Sequence, residues 1–113
     1  MIVKKASRKE KVIANNCVVW EHDLNNKNLG FALAKINGRF PNSERVANKI
    51  CQEVYYVISG KGSVFLEGKE IKLEQGDVFL IKAGKKYYVT GKDLVLAVSS
   101  SPAWYAEQQE FCD

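Results

Sequence analysis

The sequence predicts an all-β fold, an antiparallel β-barrel or jelly roll in a single domain. Between residues 53 and 91, short segments rich in β-branched and aromatic residues are typical of strands. Glycines separate these segments, as turns with positive φ require. Many short strands without helical periodicity favour a sandwich or a small barrel.

Eight segments are predicted as strands. Cys17–Trp20 and Gly30–Ile36 come first, and the second of these alternates two sets of side chains between its faces. The last, Leu94–Val98, is almost wholly apolar, as expected of a strand buried on both faces. The five between them have similar compositions: Val54–Ile58, Ser63–Leu66, Glu70–Leu73, Val78–Ile81 and Tyr87–Val89.

Turn residues connect these segments. Gly68, within Phe65–Lys69, predicts a tight hairpin with the glycine in the left-handed conformation. Gly76–Asp77 predicts a second turn, and Asn37–Gly38 is a strong hairpin signal. The aromatic C-terminal tail, residues 102–113, is predicted to form a short helix after Pro102.

Length and composition indicate one domain, residues 1–113. Of the 113 residues, 46% are hydrophobic, which is enough for one core. No apolar run reaches the roughly 18 residues of a transmembrane helix, and the N-terminus lacks the apolar region of a signal peptide. The three cysteines have neither metal-binding nor redox spacing. We therefore expect a reduced, cytoplasmic protein with no membrane partner.

The formal net charge of +4 comes largely from the basic N-terminal segment, residues 1–16. A basic arm can bind nucleic acid or an acidic surface. Here no aromatic residue interleaves with the basic side chains, as stacking on bases requires. We therefore expect an edge strand or a frayed end rather than a nucleic-acid-binding arm.

Two motifs with a characteristic spacing lie in the central part of the chain. The pattern Glu-x-x-Tyr-Val-x-x-Gly covers Glu53–Gly60, and a second motif falls on Gly76–Gly91, with 15 residues between Gly60 and Gly76. Over roughly residues 38–99 this arrangement resembles the cupin family. The resemblance implies a cupin-type β-barrel that binds a small polar ligand at its mouth, and assembly into a homodimer.

The positions of the family's metal ligands depart from its pattern. By resemblance, the two histidines of the first motif fall on Val46 and Asn48, and the histidine of the second falls on Tyr87. Only Glu53 keeps the usual residue. Transition metals usually require imidazole or thiolate donors, so we expect neither a metal site nor a cofactor.

Asn48, Glu53 and Tyr87 form the predicted ligand site, because the resemblance places all three at the barrel mouth. An amide, a carboxylate and a phenol suit hydrogen bonding to a hydroxylated or carbonyl ligand. The alternative is a satisfied polar network inside the barrel. Lys82 and His22 complete the candidates.

Each of these two further candidates has a structural alternative. Lys82, with two lysines nearby, could hold a phosphate or a carboxylate as a point charge, although such lysines also occur in solvated loops. His22 is the only histidine, and it could act as a general acid or base if it points into the barrel.

We interpret the chain as a cupin that binds a small polar metabolite, such as a sugar or a sugar derivative. One alternative is a dimeric interaction module with a filled barrel. Another is a metal-free sugar isomerase or epimerase, with Tyr87 and either Glu53 or His22 as acid and base. A metalloenzyme with unusual ligands ranks last. The fold alone does not choose among these, and the sequence leaves open whether the protein is an enzyme and which residues would be catalytic.

Overall fold

The structure, a computed structural model, describes all residues from 1 to 113. Its only helical segments are two 3₁₀ turns, so no helix is long and apolar enough to cross a membrane. The all-β fold predicted from the sequence is confirmed. The strands are β1 Lys9–Ala14, β2 Cys17–His22, β3 Gly30–Phe40, β4 Arg45–Asn48, β5 Gln52–Leu66, β6 Lys69–Leu73, β7 Val78–Ile81, β8 Tyr87–Ser101 and β9 Gln109–Cys112, and the 3₁₀ turns are Lys5–Ser7 and Ala106–Gln108.

All nine strands belong to one antiparallel sheet, which curls into a half-barrel. β8 lies at its centre, with β3 on one side and β5 on the other. Beyond β3 the sheet continues through β2 to β1. β6 and β7 pair with opposite ends of β5, while β4 and then β9 extend the sheet at the start of β8. The N-terminal segment therefore provides an edge strand.

Side chains along β5 alternate between the concave and the convex face of the sheet. Glu53, Tyr55 and Val57 are buried, whereas Val54 and Tyr56 are exposed. The concave face holds the rest of the core: Cys17, Ala34, Ile36, Val46, Val64, Leu73, Ile81, Tyr87, Val89, Leu94 and Leu96. Glu53 therefore lies among apolar side chains.

β5 and β8 are each 15 residues long, whereas the sequence predicts shorter strands separated at Gly60, Gly62 and Gly91. The predicted breaks at these glycines are wrong. The glycines lie within the strands, where the absence of a side chain allows two backbones to approach each other closely. A Cβ atom on Gly60 would overlap the carbonyl group of Asp93, and one on Gly91 would overlap that of Ile36. The glycines thus let long strands bend and continue.

One of the predicted hairpins is present and one is absent. Glu67 and Gly68 have φ values of 53° and 74°, so the tight turn after β5 is confirmed. The hairpin at Asn37–Gly38 is wrong, since β3 runs through both residues. A register shift in the pairing of β3 with β8 occurs there, and Gly38 has φ of 120°. A β-bulge therefore uses the positive φ that the dipeptide signals.

The C-terminal tail forms the 3₁₀ turn Ala106–Gln108 and then strand β9, so the short helix predicted after Pro102 is limited to that single turn. β9 pairs with all four residues of β4. Strand pairing satisfies backbone groups along an edge of β4 that a helix would leave open. This pairing brings the tail beside Asn48, the last residue of β4.

The convex face carries a group of exposed apolar side chains. They lie on β5 and β7, and they are Val54, Tyr56, Ile58, Val78 and Leu80. Apolar patches of this kind often mark protein–protein contacts. The homodimer expected from the family resemblance stays a prediction.

The bend at Gly60 leads to a testable prediction about stability. We expect Gly60→Ala to lower the free energy of unfolding by about 3 kcal/mol or more, because a Cβ atom adds steric overlap to the strain of a positive φ. Gly68→Ala is the matched control: its φ of 74° is close to the 76° of Gly60, but no atom lies within 4 Å of its Cβ position. The control should lose only about 1–2 kcal/mol. If urea unfolding shows that the two variants lose equal amounts of unfolding free energy, the role assigned to Gly60 is contradicted.

Candidate functional site

A cavity of about 440 Å³ opens on the concave face of the sheet. Its side walls are largely apolar and come from β2, β3 and β8. Exposed Lys9 and Lys11 of β1 line one part of it, and buried Glu53, Tyr55 and Tyr87 line another. The cavity therefore leads from the surface into the core, and its volume is within the usual range for small-molecule sites.

A hydrogen-bonded cluster surrounds Glu53, whose side chain is 8% exposed. Asn48 donates from Nδ2 to Glu53 Oε1 over 2.9 Å, and the Tyr87 hydroxyl donates to the same oxygen over 3.4 Å. The hydroxyl groups of Tyr55 and Tyr87 lie 3.2 Å apart. Since Tyr87 donates its proton to Glu53, Tyr55 donates to the oxygen of Tyr87. Glu53 Oε2 receives no protein donor.

Two tail residues support Asn48 from the other side. Trp104 Nε1 and Gln108 Nε2 donate to Asn48 Oδ1 over 3.2 and 2.8 Å. Gln108 is 2% exposed, and its Oε1 accepts the backbone N–H groups of Ile50 and Cys51. The tail is thus bonded both to Asn48 and to the turn that precedes β5.

Burial sets the protonation of this cluster. It raises the pKa of Glu53, although the hydrogen bonds from Asn48 and Tyr87 act in the opposite direction. Burial also raises the pKa of Tyr87 and that of Tyr55 far above the ordinary phenol value, so both tyrosines stay protonated. Both phenols are therefore able to donate hydrogen bonds.

The structure brings together some of the predicted site residues and separates others. Glu53, Tyr87 and His22 line the cavity. Asn48 does not line it, but lies behind Glu53 as a bonded, buried group. Lys82 is exposed and does not line the cavity. The predicted trio is therefore close together, without Lys82.

His22 lies at the side of the cavity on the last position of β2. Its Nδ1 is 3.1 Å from the Trp20 carbonyl oxygen, and its ring packs edge-on against Phe31. Its Nε2 has no bond to the Glu53 cluster.

The sequence reasoning missed three members of the cluster. Tyr55 follows Glu53 by two residues on the same strand, so period-two alternation was a signal for it. Trp104 was assigned only to an aromatic tail, and Gln108 had no local signal. Their positions depend on the pairing of β9 with β4, which the sequence pattern did not reveal.

The comparison with protein families agrees with this geometry. Residues 48–98 match the family model described as the cupin domain. The chain has the cupin fold. The matched region contains Asn48, Glu53 and Tyr87 but not the tail residues that bond Asn48. A search of curated proteins gave no match.

Solved structures share the fold over almost the whole chain. A variant of Streptomyces Pac13 with uridine gives a TM-score of 0.88 at 11% identity, covering 99% of this chain and 90% of that one. Pac13 is described as a nucleoside dehydratase. Ectoine synthase from P. lautus gives 0.77 at 16% identity over 100% and 91% of the two chains, and KdgF from Halomonas sp. gives 0.74 at 15% over 92% and 94%. At these identities the similarity establishes the fold.

The residues at the family's metal positions do not fit a metal ion. Val46 is buried and has no donor atom. Asn48 Oδ1 already accepts two protein hydrogen bonds, and the Tyr87 hydroxyl keeps its proton because burial raises its pKa. Only Glu53 Oε2 is free, and one carboxylate oxygen does not offset the loss of an ion's hydration.

We expect the purified protein to contain far less than one equivalent of iron, manganese, zinc or nickel. The reason is that a single carboxylate oxygen is left to bind the ion. The measurement is elemental analysis of protein made without a histidine tag. Glu53→Gln should leave the metal content unchanged. A full equivalent of one metal that disappears in Glu53→Gln would refute this prediction.

The raised pKa of Glu53 predicts a pH-dependent stability difference. As pH rises above about 4.3, the unfolded carboxyl ionises first, so the native state loses stability until the folded pKa is passed. Glu53→Gln has no carboxyl group and lacks this loss. Between the unfolded and the folded pKa of Glu53, the free energy of unfolding of the variant should therefore rise relative to that of wild type, by about 1.4 kcal/mol for each unit by which folding raises the pKa. Urea unfolding at several pH values measures the difference.

Glu74→Gln is the control for this experiment, because Glu74 is exposed and its removal leaves the cluster intact. Its stability should follow wild type across the same pH range. A Glu53→Gln variant that also follows wild type would show that burial does not disfavour the Glu53 carboxylate.

Proposed function

We propose that this cupin binds a small, neutral, hydroxylated metabolite, such as a sugar or a nucleoside, without a metal ion. The observation that carries the proposal is the cavity of about 440 Å³ with Glu53, Tyr55 and Tyr87 among its buried lining residues. A largely apolar cleft with a few convergent polar groups is the usual form of a small-molecule site. The cytoplasmic location stays a prediction.

The charges around the cavity support a neutral ligand. Of the two lysines that line the cavity, Lys11 pairs with Glu21 over 3.0 Å at the β1–β2 hairpin, and Lys9 is exposed to solvent. No lysine or arginine forms an ion pair with Glu53, and Lys82 does not line the cavity. An anionic ligand would therefore meet a carboxyl group at the buried part of the cavity without a cation to offset it.

The fold neighbours support the same class of ligand. Variants of Pac13, including two with tyrosine replaced by phenylalanine, were solved with uridine, which contains a sugar ring. At 10–11% identity this similarity suggests a ligand class to test and carries no residue roles to this chain. Uridine and free ribose are therefore suitable first probes.

A second candidate function is metal-free acid–base catalysis on such a ligand. Glu53 and Tyr87 are hydrogen-bonded to each other beside the cavity, and burial raises the pKa of Glu53 towards values useful for a general acid. His22 lines the same cavity. The open cavity supports either candidate better than an interaction module with a filled barrel.

A change in cavity volume tests the binding proposal. Ala32 lines the cavity on β3, and Ala32→Leu should weaken uridine binding at least about tenfold, because the added carbons occupy ligand space. Ala97→Leu is the matched control, since Ala97 is on β8 but does not line the cavity. Isothermal titration calorimetry with uridine and with ribose measures the dissociation constants. Wild-type protein that binds neither probe, or equal losses in the two variants, would contradict the proposal.

A further inference from the structure

We propose that Glu53 presents Oε2 to the ligand as a hydrogen-bond donor, so that the ligand group bound at the buried part of the cavity is a neutral acceptor such as a carbonyl oxygen. We further infer that Trp104 and Gln108 of the C-terminal tail fix this arrangement through Asn48. The inference rests on the proposed function, since it assigns the chemistry of the group that the cavity binds.

The first step is the orientation of the Asn48 amide. An indole N–H can only donate, so the Asn48 atom beside Trp104 Nε1 is the oxygen. Gln108 gives the same answer independently: its oxygen accepts two backbone N–H groups, which leaves its Nε2 to donate to Asn48. Asn48 must therefore turn its Nδ2 toward Glu53.

The second step is the division of roles between the two Glu53 oxygens. Oε1 accepts from Asn48 Nδ2 and from the Tyr87 hydroxyl, so a proton on the carboxyl group belongs on Oε2. Oε2 has no protein partner, and Glu53 lines the cavity. The neutral carboxyl group can then offer one O–H donor to a bound molecule.

The third step is that no cation lies close enough to Glu53 to hold it ionised. The titratable groups nearest to it are Cys51, in the turn before β5, and the protonated hydroxyls of Tyr55 and Tyr87. Across the cavity, β1 and β2 contribute Lys9, Lys11, Glu21 and His22, and Lys11 is paired with Glu21. A buried carboxylate without a charged partner is costly, and burial accordingly raises the pKa of Glu53.

Trp104 and Gln108 act as positioning residues in this arrangement. Without their two N–H groups, the Asn48 amide could rotate and present its oxygen to Glu53 Oε1. The carboxyl proton would then be drawn to Oε1, and Oε2 would become an acceptor. The tail therefore determines which kind of ligand atom Glu53 can bind.

Two small probes test the polarity directly. N,N-Dimethylacetamide is a carbonyl acceptor with no donor, and methylammonium is a cationic donor with no acceptor. We expect dimethylacetamide to shift the NMR signals of Glu53 and Tyr87 at lower concentration than methylammonium does. A preference for methylammonium, or no shift with either probe, would overturn the inference.

Variants at position 53 sharpen this test. Glu53→Gln should keep dimethylacetamide binding within about threefold of wild type, because its oxygen can accept from Asn48 and its N–H₂ can donate to the ligand. Glu53→Met removes the hydrogen-bond donor and should weaken dimethylacetamide binding about tenfold. If Glu53→Gln loses as much dimethylacetamide affinity as Glu53→Met, Glu53 acts as an ionised acceptor and the inference fails.

A double-mutant cycle tests the role of the tail. Gln108→Met should weaken dimethylacetamide binding in the wild-type background and have no further effect in Glu53→Met, since it acts through Glu53. Gln52→Met is the control, because Gln52 is exposed beside Glu53 and should have no effect in either background. If Gln108→Met and Glu53→Met weaken binding additively, Gln108 does not act through Glu53 and its positioning role is refuted. If the protein binds uridine but the dimethylacetamide and methylammonium test fails, the proposed function still holds and only this inference is refuted. Failure of the inference can therefore be distinguished from failure of the proposed function.

Discussion

The closure of one long β-ribbon on itself is the constraint on which the rest of the structure depends. β5 and β8 pair from Gln52–Ser101 to Leu66–Tyr87, so Glu53 and Tyr87 lie near opposite ends of the ribbon. In a straight ribbon, 13 positions at about 3.3 Å each would separate them by roughly 40 Å. Their side chains nevertheless lie 3.4 Å apart. The glycine-rich bend therefore creates both the concave core and the polar cluster.

This dependence explains how far the sequence could predict the structure. Alternation and glycine spacing were enough for the fold class, and the family spacing was enough to bring Asn48, Glu53 and Tyr87 together. Local sequence does not distinguish a glycine that ends a strand from one that lets a strand bend, so it predicts strand ends at Gly60 and Gly91 where the strands continue. That distinction depends on the second backbone, which is far away in the sequence.

The tail was the other part that the sequence could not supply. Residues after Pro102 carry no strand alternation strong enough to predict β9, and their structure follows from the open edge of β4. Once β9 is paired there, Gln108 must satisfy buried backbone N–H groups as well as Asn48. Tertiary pairing, rather than local propensity, thus determines the support of the candidate site.

The polar cluster at the family's metal positions has a different kind of chemistry from a metal site. A metal site needs several electron-pair donors that converge on one point, whereas here N–H and O–H groups converge on Glu53 Oε1. The partners at the ends of this network fix its direction: an indole can only donate, and phenols with raised pKa values keep their protons. The one proton whose position the protein leaves open is that of Glu53, on the oxygen that has no protein partner. At the positions where the family pattern places an ion, this barrel therefore has a directed hydrogen-bond network, and the proposed ligand cavity lies beside it.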